Sequence, residues 1–244
     1  MMIRMLRYSH SGVSPACSDE VIEERPVTIY VNGTFAGQIA SSGDLAEAAA
    51  VGHAVSQGWA RFNQILSTTA EAQSAFLTLS EDAPGPGSAS LPEIDCISGD
   101  ESTDPAPLIS EVMVSPSHIQ MLADEMQHRA TVWSATGGVH AALVSQGDNI
   151  FCCEDISRHT ALDKVIGYAL LHSWDLSHAV LLGTGRIPAQ AVVQAARAGI
   201  PVLASRSATT AQAVLLAERL HLTLVAFVRA GRMNVYTHPE RIAL

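Results

Sequence analysis

The sequence predicts an α/β protein in which a three-layer α/β/α arrangement with a mixed sheet follows a small α+β unit. From residue 115 onward, short apolar runs alternate with helix-length segments, and this repeated β-α-β order implies parallel strand pairs with helices on both faces. The 244 residues are 48% hydrophobic and 16% charged, so the chain can bury one sizeable core, and global disorder is excluded. A proline-rich acidic stretch separates the two parts.

Changes of composition divide the chain into four parts. They are a flexible tail (1–20), a small α+β subdomain (21–80), a mobile linker loop that contains Cys96 (81–114) and an α/β domain (115–244). Residues 81–107 hold five of the 11 prolines and show little apolar periodicity, which is typical of a linker or surface loop.

The α+β subdomain is predicted from a hairpin signal and an alanine-rich helix. Asn32-Gly33 is a strong turn between strands at 27–31 and 35–39. Asp44 can cap a helix that runs to about Gln57 and stops at Gly58. Residues 65–79 are expected to contain two further strands.

The α/β domain is predicted to begin with a helix at Ser115-Pro116, because proline is favoured in the first turn. The elements expected after it are strands at 131–134, 139–144 and 150–153, a helix at 158–171, a strand at 179–182, a helix at 188–198, a strand at 201–204, a helix at 209–220 and a strand at 222–228.

The charge is uneven along the chain. Residues 1–128 carry 4 arginines and 17 acids, and residues 129–244 carry 9 arginines, Lys164 and 7 acids, so −13 and +3 give the net −10. An acidic chain is a poor non-specific nucleic-acid binder, whereas a locally positive half suits a compact anion; alternatively, the acidic half only keeps the protein soluble. No apolar window is long enough to span a membrane, and we expect a cytoplasmic protein.

The apolar run 222–228 ends in a loop with two arginines, and its segment is Phe227-Val228-Arg229-Ala230-Gly231-Arg232. Guanidinium groups beside free backbone N–H groups suit a phosphate or pyrophosphate. The alternative is an edge strand with two solvated arginines.

Four more loops are expected at the same edge of the sheet, outside the strand ends where α/β sheets bind ligands. One is rich in glycine, one combines acids with bases, one places an arginine before a helix, and one is rich in Ser and Thr. For the second and fourth, simple helix capping is the alternative. The four loops hold Gly137, Gly138 and His140; Glu154, Asp155, Arg158 and His159; Gly185 and Arg186; and residues 205–210.

The cysteines do not form a metal or dithiol pattern. Cys17, Cys96, Cys152 and Cys153 include no C-x-x-C pair. The two adjacent thiols lie in an apolar run and are predicted to be buried on opposite faces of a strand. The ten histidines have no metal-ligand spacing, and the zinc deaminase signature is missing.

Three long segments carry a family resemblance in the expected order. They are residues 136–142, Glu154-Asp155 with Arg158-His159 and residues 161–167, and residues 231–237 followed by 239–242. Together they resemble the FdhD family of formate dehydrogenase accessory proteins, and the spacing agrees from about Glu24 to the C-terminus.

The resemblance implies a fold similar to that of cytidine deaminases and a role as a sulfur carrier. Such proteins accept sulfur from a cysteine desulfurase as a persulfide and pass it to the bis(molybdopterin guanine dinucleotide) form of the molybdenum cofactor for formate dehydrogenase. The segment that matches the family's cofactor-binding segment is Phe227 to Arg232. The resemblance thus implies that GDP binds as a surrogate for this cofactor. It is also consistent with a homodimer, since a ligand with two equivalent halves suits a two-fold assembly.

The chain departs from the family at its sulfur motif. The family typically has C-G-x-C in the loop between its two parts, where this chain has Asp95-Cys96-Ile97-Ser98. Cys96 is the expected persulfide carrier, since a hydroxyl cannot replace a thiolate. The alternatives are a non-catalytic cofactor chaperone that has lost the persulfide cysteine, and a nucleotide-binding regulatory module.

Overall fold

The fold is described from a computed structural model over residues 1–10, 12–13, 17–87, 105–229 and 231–243. Cys96, half of the predicted linker (88–104) and Ala230 lie outside these ranges. The strands are β1 Met2–Met5, β2 Tyr8–Ser9, β3 Gly12–Val13, β4 Cys17–Glu20, β5 Val27–Val31, β6 Thr34–Ile39, β7 Ile65–Glu71, β8 Ser74–Leu79, β9 His140–Gln146, β10 Asn149–Asp155, β11 Val180–Gly183, β12 Val202–Ser205, β13 Thr223–Arg229 and β14 Arg232–Val235. The helices are α1 Ala46–Ser56, α2 Pro116–Arg129, α3 Thr131–Thr136, α4 Arg158–Leu171, α5 Ala189–Arg197 and α6 Ala211–Arg219.

A six-stranded mixed sheet forms the centre of the larger part, in the order β10-β9-β11-β12-β13-β14. Strands β11, β12 and β13 are parallel, and the other neighbours are antiparallel. Alternate side chains pack into two cores: Leu182 lies on the α2 side, and Leu181 lies on the side of α4 and α5. Helices therefore cover both faces, which confirms the predicted α/β class.

The strand register brings the predicted loops to one edge of this sheet. Asp155 at the end of β10 pairs with His140 at the start of β9, and Gly183 at the end of β11 lies beside Ser205 of β12. Arg229 at the end of β13 faces Arg232 at the start of β14. The carboxyl ends of four strands and the amino ends of two thus lie side by side.

The N-terminal unit shares its core with the larger part. Its sheet, in the order β6-β5-β8-β7, contributes the buried face of β5 and β8 to the same apolar cluster as α1 and α4. The two helices touch at glycines: a Cβ on Gly52 would lie 1.9 Å from the Asp163 carbonyl oxygen, and one on Gly167 would lie 1.9 Å from that of Ala48. The predicted hairpin, helix and pair of strands are confirmed.

Two local predictions are wrong. Residues 131–134 form part of helix α3, not a strand, because the Glu154 carboxylate accepts hydrogen bonds from the Val132 and Trp133 N–H groups at the start of α3. Asp44 does not cap α1, whose N-cap is Leu45, because the Asp44 carboxylate pairs with Lys164 Nζ at 2.6 Å. A tertiary contact overrides local propensity in both places.

The N-terminal segment contains regular structure where the sequence indicates a loose tail. Strand β1 pairs with β4, and β2 pairs with β3, both antiparallel. Its flexibility stays a prediction. Over the described ranges, the helices are all too short or too polar to cross a bilayer.

Candidate functional site

An open cleft of about 530 Å³ lies at the sheet edge where the predicted loops converge. Gly137, Gly138, His140 and Arg229 are among the residues that line it. Four of the predicted binding residues therefore line one cavity. Its size lies within the range of small-molecule sites in proteins.

The cleft is basic. Arg206 and Arg229 both line it, and none of the described lining residues is acidic. The Arg206 guanidinium donates to the neutral side-chain oxygen of Gln127, and that of Arg229 lies 5.8 Å from the ring centroid of Phe227. Because the described residues give neither arginine a carboxylate partner, both charges are available to an anion.

A distortion of β13 sets the position of Arg229. Phe227 has a φ of 57°, which is unusual for a bulky residue, and the pairing of β13 with β14 shifts register between Ala226 and Arg229. The Phe227 N–H donates to the Ser207 carbonyl at 3.0 Å. This bond ties the end of β13 to the loop that carries Arg206, so the two cleft arginines are positioned together.

A smaller cavity of about 20 Å³ adjoins the cleft at Thr184. Arg158, Gly185 and Arg186 line it, and Arg158 Nε is buried without a hydrogen-bond partner. A Cβ on Gly185 would lie 3.1 Å from Arg158 Cδ, so this glycine leaves room for the arginine side chain. Beside the two arginines of the cleft, the cavity therefore adds a third guanidinium group that has no carboxylate partner among the described residues.

His140 lines the cleft beside Thr184, the residue that lines both cavities. Its Nδ1 lies 3.4 Å from Thr184 Oγ1. Burial lowers the pKa of His140, and the nearby charges of Arg158 and His159 lower it further. The imidazole is therefore neutral at pH 7, and Nδ1 and Nε2 provide one donor and one acceptor.

Three predicted binding residues have other partners. Glu154 caps α3 through the Val132 and Trp133 N–H groups, at 2.9 and 2.7 Å. Asp155 is fully buried, with one carboxylate oxygen 2.6 Å from Lys164 Nζ. His159 Nδ1 lies 2.8 Å from Gln194 Oε1, and burial lowers the pKa of His159.

The spacing of the strands also separates Glu154 and Asp155 from the cleft arginine Arg229. Strands β10 and β13 are four positions apart, which corresponds to about 19 Å at a spacing of about 4.8 Å. Glu154 and Asp155 therefore cannot contact a phosphate held by Arg229.

The C-terminal segment is only partly at the cleft. Val228 is buried in the core on the α2 side, whereas Arg232 is exposed at the start of β14, opposite Arg229. Gly231 has a φ of 73°, as the tight reversal between the two strands requires.

Several cleft residues are not among the individual binding residues predicted from the sequence, although two of them belong to the predicted edge loop 205–210. Arg206, Ser207, Thr184, Gln127 and Trp133 all line the cleft. The helix cap predicted for residues 205–210 is present, since the Thr210 side chain accepts from the Ala213 N–H, and the arginine earlier in the same loop has a separate role. The sequence signal for Arg206 as a binding residue was its position directly after the buried parallel strand β12. Trp133 gave none, because its segment was assigned to a strand.

The two adjacent thiols, those of Cys152 and Cys153, are poor nucleophiles. Cys152 packs on the α2 side of the sheet and Cys153 on the opposite side, as predicted, but Cys152 is half-buried whereas Cys153 is buried. Burial raises the pKa of Cys152 to about 12 and raises the pKa of Cys153 further. Both are therefore protonated at neutral pH. In the described part of the chain, His, Cys, Asp and Glu do not form a cluster that could hold a metal.

The fold and the cleft define a class: a three-layer α/β protein with a basic cleft at the strand ends. The profile of the FdhD/NarQ family matches residues 22–243, so the chain belongs to this family. A sulfur carrier protein FdhD of Halalkalibacterium halodurans is 33% identical over 241 residues, covering 92% of this chain and 88% of the relative. One of Bacillus pumilus is 31% identical over 252 residues, covering 98% and 96%.

A solved structure has the same fold. The crystal structure of a protein assigned as a formate dehydrogenase accessory protein from Desulfotalea psychrophila superposes with a TM-score of 0.85. It is 25% identical, and the match covers 100% of this chain and 99% of that one. The resemblance inferred from the three motifs is thereby confirmed.

Proposed function

We propose that the protein is a cytoplasmic accessory sulfur carrier for formate dehydrogenase. It receives sulfur from a cysteine desulfurase and transfers it to the molybdenum cofactor in its bis(molybdopterin guanine dinucleotide) form. The observation that carries the proposal is the cleft with two arginines and no acidic lining residue in the described chain, in a member of the FdhD/NarQ family.

The residues of the cleft fit the diphosphate of a guanine dinucleotide. Arg206 and Arg229 supply fixed positive charge, and Gly137 and Gly138 allow close approach of a ligand to the backbone. Arg158 adds a partly buried guanidinium with an unpaired Nε beside the cleft. The cofactor is cargo in this proposal, and these residues bind and orient its phosphates.

Cys96 is the proposed sulfur carrier. Its thiolate attacks the terminal sulfur of the desulfurase persulfide, a new S–S bond forms on Cys96, and the desulfurase cysteine leaves as a thiolate. The raised pKa of Cys152 and the burial of Cys153 remove both as competing nucleophiles.

Persulfide labelling after incubation with a cysteine desulfurase and cysteine tests the transfer. We expect label on the wild type and on a Cys17→Ser control, and none on Cys96→Ala. An unlabelled wild type, or equal label on Cys96→Ala, would contradict the carrier role.

GDP titration by calorimetry tests the cleft independently. We expect Arg229→Ala to weaken binding by about 1.5–3 kcal/mol, the value of a hydrogen bond to a charged group. Arg229→Lys should restore only part of this loss, because an ammonium cannot bind in bidentate geometry. Arg61→Ala, in the N-terminal unit, is the control, and equal affinity in Arg229→Ala and the control would remove the assignment.

A second candidate is a cofactor chaperone without sulfur transfer. It is favoured by the replacement of the family's C-G-x-C by a stretch with one cysteine. GDP binding without persulfide label would support it.

A further inference from the structure

The cleft has an aromatic side chain among its basic and polar lining residues. Trp133 lies on α3, lines the cleft and is 50% exposed, whereas Trp59 elsewhere in the chain is 6% exposed. Of the described residues that line the cleft, it is the one with a large aromatic ring. A half-exposed indole at a ligand cavity offers a flat surface for another ring.

The position of Trp133 is fixed by the sheet. A helix of six residues is too short to be stable alone. Here the Glu154 carboxylate accepts from the N–H of Trp133 itself at 2.7 Å, and Glu154 belongs to strand β10. At the other end, Thr136 Oγ1 donates to the Val132 carbonyl at 2.8 Å, and Gly137 ends the helix with a φ of 65°. The indole is thus carried by a short helix whose start is held by the sheet and whose last turn is closed by its own side chain.

The lining matches the two chemical parts of a nucleotide. The guanidinium groups of Arg206 and Arg229 suit a diphosphate, and an indole suits a purine base, since every base has a face that stacks on an aromatic ring. A bare phosphate would need no aromatic partner. The cavity of about 530 Å³ is large enough for both parts of a nucleoside diphosphate.

We propose that Trp133 is the base-stacking residue of the cleft, and that the protein therefore selects the nucleotide end of its ligand over a bare diphosphate. This inference rests on the proposed function, because it takes the cleft to bind the guanine nucleotide of the cofactor. Glu154 is then a positioning residue, which acts on the ligand through α3.

The experiment compares GDP with inorganic pyrophosphate. Base stacking is worth about 1–3 kcal/mol, which corresponds to a factor of roughly 5–150 in affinity. We expect Trp133→Ala to weaken GDP binding by that factor and to leave pyrophosphate binding unchanged, and Trp133→Phe to keep most of the GDP affinity. Thermal unfolding of each variant checks that the fold is retained.

A fluorescence measurement reports on the indole directly. The chain has 3 tryptophans, and a Trp59→Phe/Trp174→Phe background leaves Trp133 as the reporter. Trp59 Nε1 has no hydrogen-bond partner, so its replacement by Phe loses no hydrogen bond. We expect GDP, but not pyrophosphate, to quench this emission.

The outcomes separate this inference from the proposed function. GDP binding that Trp133→Ala leaves unchanged would overturn the stacking role alone, and so would an equal loss of GDP and pyrophosphate affinity, which would indicate a structural role. A wild type that binds neither ligand would overturn the proposed function and the stacking role together.

Discussion

The charge buried beside Asp155 allows a direct test of where that residue acts. Lys164 Nζ lies 2.6 Å from Asp155 Oδ2 and 2.6 Å from Asp44 Oδ1, and the side chains of Lys164 and Asp155 are both fully buried. Lys164→Met keeps the aliphatic volume and removes the charge. Removal of one partner of a buried ion pair typically costs about 3–5 kcal/mol of unfolding free energy.

The hydrogen bonds that Asp155 keeps in Lys164→Met place the expected loss of unfolding free energy near the lower limit of this range. Asp155 still accepts from Ser41 Oγ at 2.8 Å, from the Ser42 N–H at 3.1 Å and from the Ser157 N–H at 3.0 Å. The Asp155 carboxylate therefore still has three hydrogen-bond donors, and we expect a loss of about 3 kcal/mol of unfolding free energy.

Urea unfolding at pH 7.5, followed by tryptophan fluorescence, measures this loss. The control is Arg129→Met, which breaks the Arg129–Glu125 pair, whose side chains are 45% and 34% exposed. A pair so exposed should contribute less than about 1 kcal/mol. A Lys164→Met loss no larger than that of the control would refute the reasoning.

GDP affinity gives the complementary result. The structure places Asp155 in the buried ion pair, so Asp155→Asn should lower stability and leave the GDP affinity of the folded protein unchanged. A specific loss of affinity would instead support the cofactor-binding role predicted from the sequence.

Three further predictions concern other parts of the fold. Gly52→Ala should destabilise the protein by about 1–3 kcal/mol in urea unfolding, because its Cβ would overlap the Asp163 carbonyl oxygen; Gly147→Asn, at a turn with open space, is the control and should cost under about 1 kcal/mol. Glu154→Ala should cost about 0.5–2 kcal/mol through the lost cap of α3 and should also weaken GDP binding; a loss of stability alone would argue against α3 as a wall of the ligand site. Burial lowers the pKa of His140, so the unfolded state takes up the proton first, and the free energy of unfolding should fall as the pH drops below about 6.5. His140→Gln should flatten that dependence between pH 7 and pH 5 in urea unfolding. An unaltered curve would contradict the reasoning.

The strands and helices of the larger part were largely predictable because their apolar periodicity is strong. The helix predicted at 158–171 is α4, and the last strand predicted at 222–228 is β13, which runs from Thr223 to Arg229. The common edge of the loops followed from β-α-β order, which fixes strand direction. The local sequence pattern is sufficient to predict an element that buries one face through regularly spaced apolar residues.

The site was less predictable because it depends on partners distant in sequence. Glu154 resembles a free acid in a loop, but it caps a helix more than twenty residues earlier. Asp155 resembles a ligand-binding acid, but its buried partner Lys164 lies on the next helix. Local spacing does not show which side chain will meet an acid, since that choice depends on how the elements pack.

The sequence by itself determined the class of fold, the edge at which the loops meet and the family of this protein, because these properties depend on periodicity, strand order and long motifs. Only the tertiary structure decided which residues at that edge share a cavity. Sheet order places Arg229 at the end of β13 and Arg206 just after the neighbouring strand β12, with Asp155 four strands away from Arg229. The distortion at Phe227 positions Arg229, and the cap on α3 positions Trp133. These arrangements arise from contacts between segments far apart in the chain, which no local pattern specifies.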